Sequence, residues 1–191
     1  MKANKPILFI LSMLGLFWSC SNYTPKPKAY PRVDYPVKEY HKIETDCPFS
    51  FDIPIYSKLE NYQYGDQPCW YNLNYPQFNA TLHLSYIPFS NIQELDSLGE
   101  DAYQLAHKHI RVAEEIVERE ITDTTKSIFG MIYDLEGKTA TPLNFYLTDG
   151  KQHFFRGSFY FNAKTSRDSV LPIYNFIHED IIRTITSFNF E

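Results

Sequence analysis

Any chemistry in this chain would have to be built from six histidines and three cysteines. His178-Glu179 opens the pattern of a zinc-protease helix, in which a second histidine four positions on completes the grip on the metal. That position holds Ile182, so the site cannot form. His107 and His109 stand two apart in a helical stretch, on different faces, and cannot readily share a metal. His83 and His153 fall on predicted strands, and either would become a general base if the fold brought it beside Asp149 or Glu136. Spacing alone does not require that approach, and surface histidines are the plainer reading. No strained serine elbow, phosphate-binding glycine loop or calcium loop is present. The sequence therefore predicts no catalytic residues, no metal and no cofactor.

The cysteines point elsewhere. Lys2 and Lys5 precede a run from Ile7 to Trp18 that is apolar but for Ser12, and Ser19 then stands directly before Cys20. A charged start, an apolar stretch and a small residue at the cut form an export signal. Twelve residues are too few to cross a bilayer core, which needs roughly 20. The Ser19-Cys20 junction resembles a bacterial lipoprotein box, which implies that residues 1–19 are removed and Cys20 is acylated. Several acyl chains, each buried CH₂ contributing about 0.8 kcal/mol, would hold the chain on a membrane. Once Cys20 is lipidated, Cys47 and Cys69 remain, and an even pair in an oxidising envelope predicts one disulfide.

Residues 1–19 hold two of the 18 basic residues and none of the 23 acidic ones, so the remainder carries a net charge of about −7. Nucleic acid is excluded as a partner, because binding phosphates needs clustered Lys and Arg. Fifteen Tyr and fifteen Phe suit an antiparallel sheet with both faces at least partly covered.

Residues 20–42 read as a tether after the signal, broken by Pro25, Pro27, Pro31 and Pro36. A passive spacer would lack its Tyr23, Tyr30, Tyr35 and Tyr40, so the tether either lies along its own domain or docks on a partner. A single globular domain is expected over 43–191. Alternation predicts strands over Cys47–Ile53, Cys69–Tyr75 and Ala80–Tyr86, joined as a meander. Leu95, Leu98, Ala102, Leu105, His109 and Val112 give a helix from Ile92 to about Val112. Glu114–Ile121 and Ser127–Leu135 read as a hairpin, as do Leu143–Thr148 and Gln152–Phe161 around Asp149-Gly150. A last helix runs from Asp168 to Ser187, with Asp168 as its N-cap. The order predicts an α+β domain with a mainly antiparallel sheet and two principal helices packed on it.

The densest polar-aromatic cluster, Thr141 to Gly157, reads as a hairpin covered on both faces, or as a recognition surface on which Asn144, His153 and Arg156 are the polar points. These runs carry a resemblance. Pro25-Lys26-Pro27 with Tyr30, Arg32 and Tyr35-Pro36, then Cys47-Pro48-Phe49-Ser50-Phe51 and Cys69-Trp70-Tyr71-Asn72-Leu73, come first. Thr141 through Asp149, His153-Phe154, Arg156-Gly157 and Tyr160-Phe161-Asn162 follow. In that order they resemble the gliding-motility lipoprotein GldD family of Bacteroidota. The resemblance implies a lipid-anchored envelope protein, expected on the outer membrane and facing the periplasm, with gliding and type IX secretion proteins as its partners. It implies no enzymatic residues, and it marks Tyr30, Arg32 and Tyr35 as partner-binding candidates. Phe51-x-Ile53-Pro54 and Thr186-Ser187-Phe188 look like the PsbP/Mog1 type of fold, which suggests a periplasmic small-ligand-binding domain as the alternative function.

Overall fold

Alternating segments leave rows of large apolar side chains on one face of a strand, and pairing into a sheet gathers those rows so that a second layer can cover them. The computed structural model describes residues 32–43, 45–62, 68–108, 113–137, 141–163 and 167–191, all within the compact unit Arg32–Glu191. Cys20, Tyr30, His109 and Val112 lie outside the described residues. The first strands are β1 (Tyr40–Lys42), β2 (Phe49–Ser50), β3 (Asp52–Pro54), β4 (Lys58–Asn61), β5 (Trp70–Tyr75) and β6 (Ala80–Pro88). Helix α1 (Ile92–His107) follows, then β7 (Ala113–Asp123), β8 (Ile128–Gly137), β9 (Leu143–Thr148), β10 (His153–Phe161), helix α2 (Arg167–Ser187) and β11 (Asn189–Phe190). Seven strands form one antiparallel sheet in the order β4-β5-β6-β10-β9-β8-β7.

One face of this sheet meets α2. Leu73, Leu82, Leu84, Phe145, Phe155 and Phe159 pack there with Ile177, Ile181 and Ile185 of the helix. On the opposite face α1 sets Ala102 near Phe154 and Phe89, and Ala106 near Tyr133 and Leu135. The start of α1 is fixed by its sequence. Asn91 Oδ1 accepts the Glu94 backbone N–H at 3.0 Å, and Glu94 reaches back to the Ser90 N–H at 2.8 Å, a reciprocal cap. The helix ends at His107, short of the predicted Val112, and Ala113 already pairs with Gly137 as strand. Asp168, expected as the N-cap of α2, lies one residue inside that helix.

One expectation changes. Cys47–Ile53 is not the first strand of the meander. It divides at Phe51 into β2, which pairs with β11, and β3, which pairs with β1. Phe49 and Phe51 are drawn over the α2 face of the sheet, where their rings lie 5.0 and 5.8 Å from Phe155 and 5.9 and 5.8 Å from Phe188. The first strand of the meander is β4, whose Lys58 and Glu60 are exposed and whose apolar signal is a single Leu59. Within the segment read as a tether, Tyr35 packs on Phe176, Lys38 and Tyr40 bond to Asp180, and Tyr40–Lys42 pairs with β3, so this part lies along the domain. The disulfide Cys47–Cys69, with Cα atoms 5.8 Å apart, joins the segment before β2 to the start of β5.

A buried carboxylate holds the N-terminal segment. Asp180 on α2 is 0% exposed and accepts hydrogen bonds from Tyr56 Oη at 2.5 Å, Tyr40 Oη at 2.7 Å and Lys38 Nζ at 3.1 Å. Lys38 also donates to the Phe176 carbonyl at 2.7 Å and lies over its ring. Burial, followed by the hydrogen bond to Asp180 and its negative charge, raises the phenols of Tyr40 and Tyr56 well above their usual range. Asp180→Ala leaves three donors without their acceptor and should lower the free energy of unfolding by about 3 kcal/mol in urea titration. These phenols ionise near pH 10 in the unfolded chain and higher in the folded one. Their contribution is therefore intact below about pH 10 and lost as pH rises above it. Unfolding midpoints measured from pH 8 to 11 should be flat at first and then fall, with the fall beginning near pH 10.

Candidate functional site

On the α1 side of the sheet, strand register sets two neighbouring rows of polar and aromatic side chains. Pairing of β5, β6, β10 and β9 aligns Trp70, Ser85, Arg156 and Tyr146 in one row and Asn72, His83, Ser158 and Asn144 in the next. Helix α1 covers the Tyr146 end, since Tyr146 packs with its apolar residues. Among the described residues nothing covers the β5–β6 end, where a cleft of about 350 Å³ lies. Tyr62, Trp70, His83 and Tyr160 line it together with Leu105 of α1, and Arg156 stands on its floor. A hollow of about 420 Å³ adjoins it along Asp101, Gln104 and Lys108 and shares Arg156 and Leu105. Beneath α1 a cavity of about 10 Å³ joins Asn144 to Arg156 and Ser158.

Arg156 is the positive charge of this cleft. Its Nε donates to Ser85 Oγ at 3.0 Å, and among the described residues its remaining guanidinium nitrogens have no acceptor. Asn144 is 4% exposed, and among the described residues neither its amide nitrogen nor its amide oxygen has a hydrogen-bond partner. An unpaired buried amide costs about 1–3 kcal/mol, so Asn144 is an expensive residue to keep there for packing alone. His83 meets Asn72 Oδ1 at 2.6 Å, and burial pulls its imidazole below the usual value, favouring the neutral ring. Burial raises the Tyr160 phenol, while the Arg156 charge and a hydrogen bond with Ser158 oppose the rise.

The recognition cluster expected from sequence is divided by the sheet. Asn144 and Arg156 come together on the α1 side. His153 lies on the other face, 8% exposed, where its ring stacks on Phe190 at 5.2 Å and Nδ1 meets Tyr86 Oη at 2.6 Å. Its approach to Asp149 runs through its backbone N–H, at 3.0 Å, so the pair forms part of a turn. His83 faces an amide. Among the described residues no group of three His, Cys, Asp or Glu side chains is placed to hold a metal. His178, from the incomplete zinc-protease pattern, instead joins Arg119 and Tyr174 around Asp134 and clasps α2 to the sheet. Burial pushes the Asp134 carboxyl up, but the hydrogen bonds from His178 and Tyr174 and the His178 and Arg119 charges hold it below the usual range.

The tether candidates separate as well. Tyr35 packs against its own domain, with ring centroids 4.6 Å from Phe176 and 6.1 Å from Phe78. Arg32 and Asp34, 3.7 Å apart, are both 93% exposed. Tyr62, Trp70, His83 and Tyr160 were missed from the sequence as members of one surface. Alternation places Trp70, His83 and Tyr160 on the faces of their strands away from α2, but nothing local shows that β6 pairs with β10.

Such a half-covered antiparallel sheet, with its helices on opposite faces, defines a PsbP-like α+β domain. The fold matches the solution structure of cyanobacterial PsbP (CyanoP) from Synechocystis sp. PCC 6803 with a TM-score of 0.51, over 84% of this chain and 98% of that one, at 10% identity. The chain belongs to the family of the gliding motility lipoprotein GldD, whose sequence profile matches residues 20–190. Membership implies a role in gliding motility and a membrane-anchored place in the cell envelope. No curated protein matches the chain.

The one described hydrogen bond of the Arg156 side chain is to Ser85, so Arg156→Gln should change the unfolding free energy by no more than about 1 kcal/mol, measured by urea titration.

Proposed function

We propose that this chain is a non-catalytic assembly or stabilising factor of the gliding and type IX secretion machinery, anchored through acylated Cys20 and facing the periplasm from the outer membrane. The observation that carries the reading is the extent of the family match, which starts at Cys20 itself and runs to residue 190. A recognition role agrees with a cleft in which the rings of Tyr62, Trp70 and Tyr160 surround the Arg156 guanidinium, the residue types of interface anchors. The Cys47–Cys69 bridge fits the same setting, where it would stabilise the domain by about 3 kcal/mol.

Clean deletion in the source bacterium should abolish spreading on agar and reduce adhesin delivered to the medium. Wild type should restore both activities, while Cys20→Ala, though expressed, should restore neither. Normal spreading and secretion in the deletion strain would overturn the proposal.

A further inference from the structure

The cleft has a chemical preference that can be named, and naming it rests on the proposal that the domain contacts an envelope partner. We infer that the cleft between α1 and β5 receives a carboxylate side chain from a partner protein, presented on a segment whose neighbouring residues are aromatic or apolar.

Three observations converge. The cleft floor carries a guanidinium whose Nε is fixed by Ser85 and whose outer nitrogens have no acceptor among the described residues. A planar fork of this kind matches a carboxylate with two parallel hydrogen bonds. Asn144, 4% exposed, offers both an N–H₂ donor and a carbonyl acceptor with no partner among the described residues, and the cavity of about 10 Å³ beside it is also lined by Arg156 and Ser158. That cavity is about the size of one water, so Asn144 would act on an acid held by Arg156 through a bridging water. The walls above the charge are the rings of Tyr62, Trp70 and Tyr160, which suit apolar flanking residues.

The charges facing the cleft favour an anion. Asp101 on α1, an acid that lines the adjoining hollow, makes no ion pair with Arg156, and Lys108 adds a second positive charge there. The His83 ring is held toward its neutral form, so it does not add to the charge. The cleft is open along its length, so a free small acid would stay largely in water, whereas a side chain on a protein surface would close it.

The chain from Cys20 onward has Trp70 as its only tryptophan, so fluorescence of the lipidated protein reports on the cleft directly. In detergent, acetyl-Phe-Glu-Phe-amide should shift that emission saturably, and the neutral acetyl-Phe-Gln-Phe-amide should bind at least about tenfold more weakly. Arg156→Gln should make the two peptides equivalent. Asn144→Leu should weaken the acidic peptide while leaving the thermal midpoint unchanged or higher, because it replaces an unpaired buried amide with an apolar group. Equal binding of both peptides, no saturable shift with either, or a preference retained in Arg156→Gln would overturn the inference. Sodium acetate binding as tightly as the acidic peptide would overturn the protein partner in favour of a free carboxylate. A lower midpoint in Asn144→Leu would remove Asn144 from the site. A failure in these titrations leaves the deletion phenotype untouched, so the two proposals fail separately.

Discussion

A carboxylate held out of water constrains everything around it. Asp180 has no solvent to fall back on, and an isolated buried charge costs several kcal/mol after relaxation, so its three donors must be present together. Two of them, Lys38 and Tyr40, come from the segment ahead of β2, and the third, Tyr56, follows β3. The N-terminal segment is thereby a structural part of the domain. Its docking brings Tyr40–Lys42 alongside Asp52–Pro54, and Arg183 on α2 fixes Asp52 at 2.6 Å. The polar network also selects one arrangement from many that aromatic packing alone would tolerate. Phe49, Phe51, Phe155 and Phe188 have similar shapes and could exchange places at little cost, whereas a carboxylate with three specified donors cannot.

The cleft follows from unequal covering of the two sheet faces. Seven strands at about 4.8 Å spacing make a surface about 29 Å wide, and one helix of about 10 Å diameter covers two or three strands of it. On one side α2 has help from two small strand pairs, and that face is closed. On the other, α1 works alone among the described elements. Its apolar stripe meets the β8–β10 half, and the β5–β6 half is left to Trp70, His83 and Ser85. Side chains that are neither wholly apolar nor wholly charged are what such a half-wet surface can carry.

Much of this architecture was legible in the residues, and what escaped did so for identifiable reasons. The helical stripe of Leu95, Leu98 and Ala102 and the Asp149-Gly150 turn read correctly, because each depends on neighbours within a few positions. β4 escaped notice because a four-residue edge strand with one half-buried Leu59 carries little apolar pattern. Cys47–Ile53 was assigned to the sheet on its alternation, which records that alternate residues are buried but not which layer buries them. The same limit applied to the site. Asn144 and Arg156 were visible as polar residues among aromatics, but parity along β10 places His153 on the opposite face from Arg156, and only knowing which face meets α1 separates them.

The pairings that close the N-terminal layer join residues far apart in the chain. The Asp52 backbone N–H finds Ser187 across 135 positions, Tyr40 finds Asp180 across 140, and β2 finds β11. Contacts of such high order form late, since the loop between them must first be gathered. A chain bound for the cell envelope has to pass through a narrow conduit while still extended. Here β1 and β3 can pair locally, but β2 has no strand partner until β11, at the far end of the domain, has followed it. The topology thus ties the final closure of the leading end to the arrival of the last helix and strand.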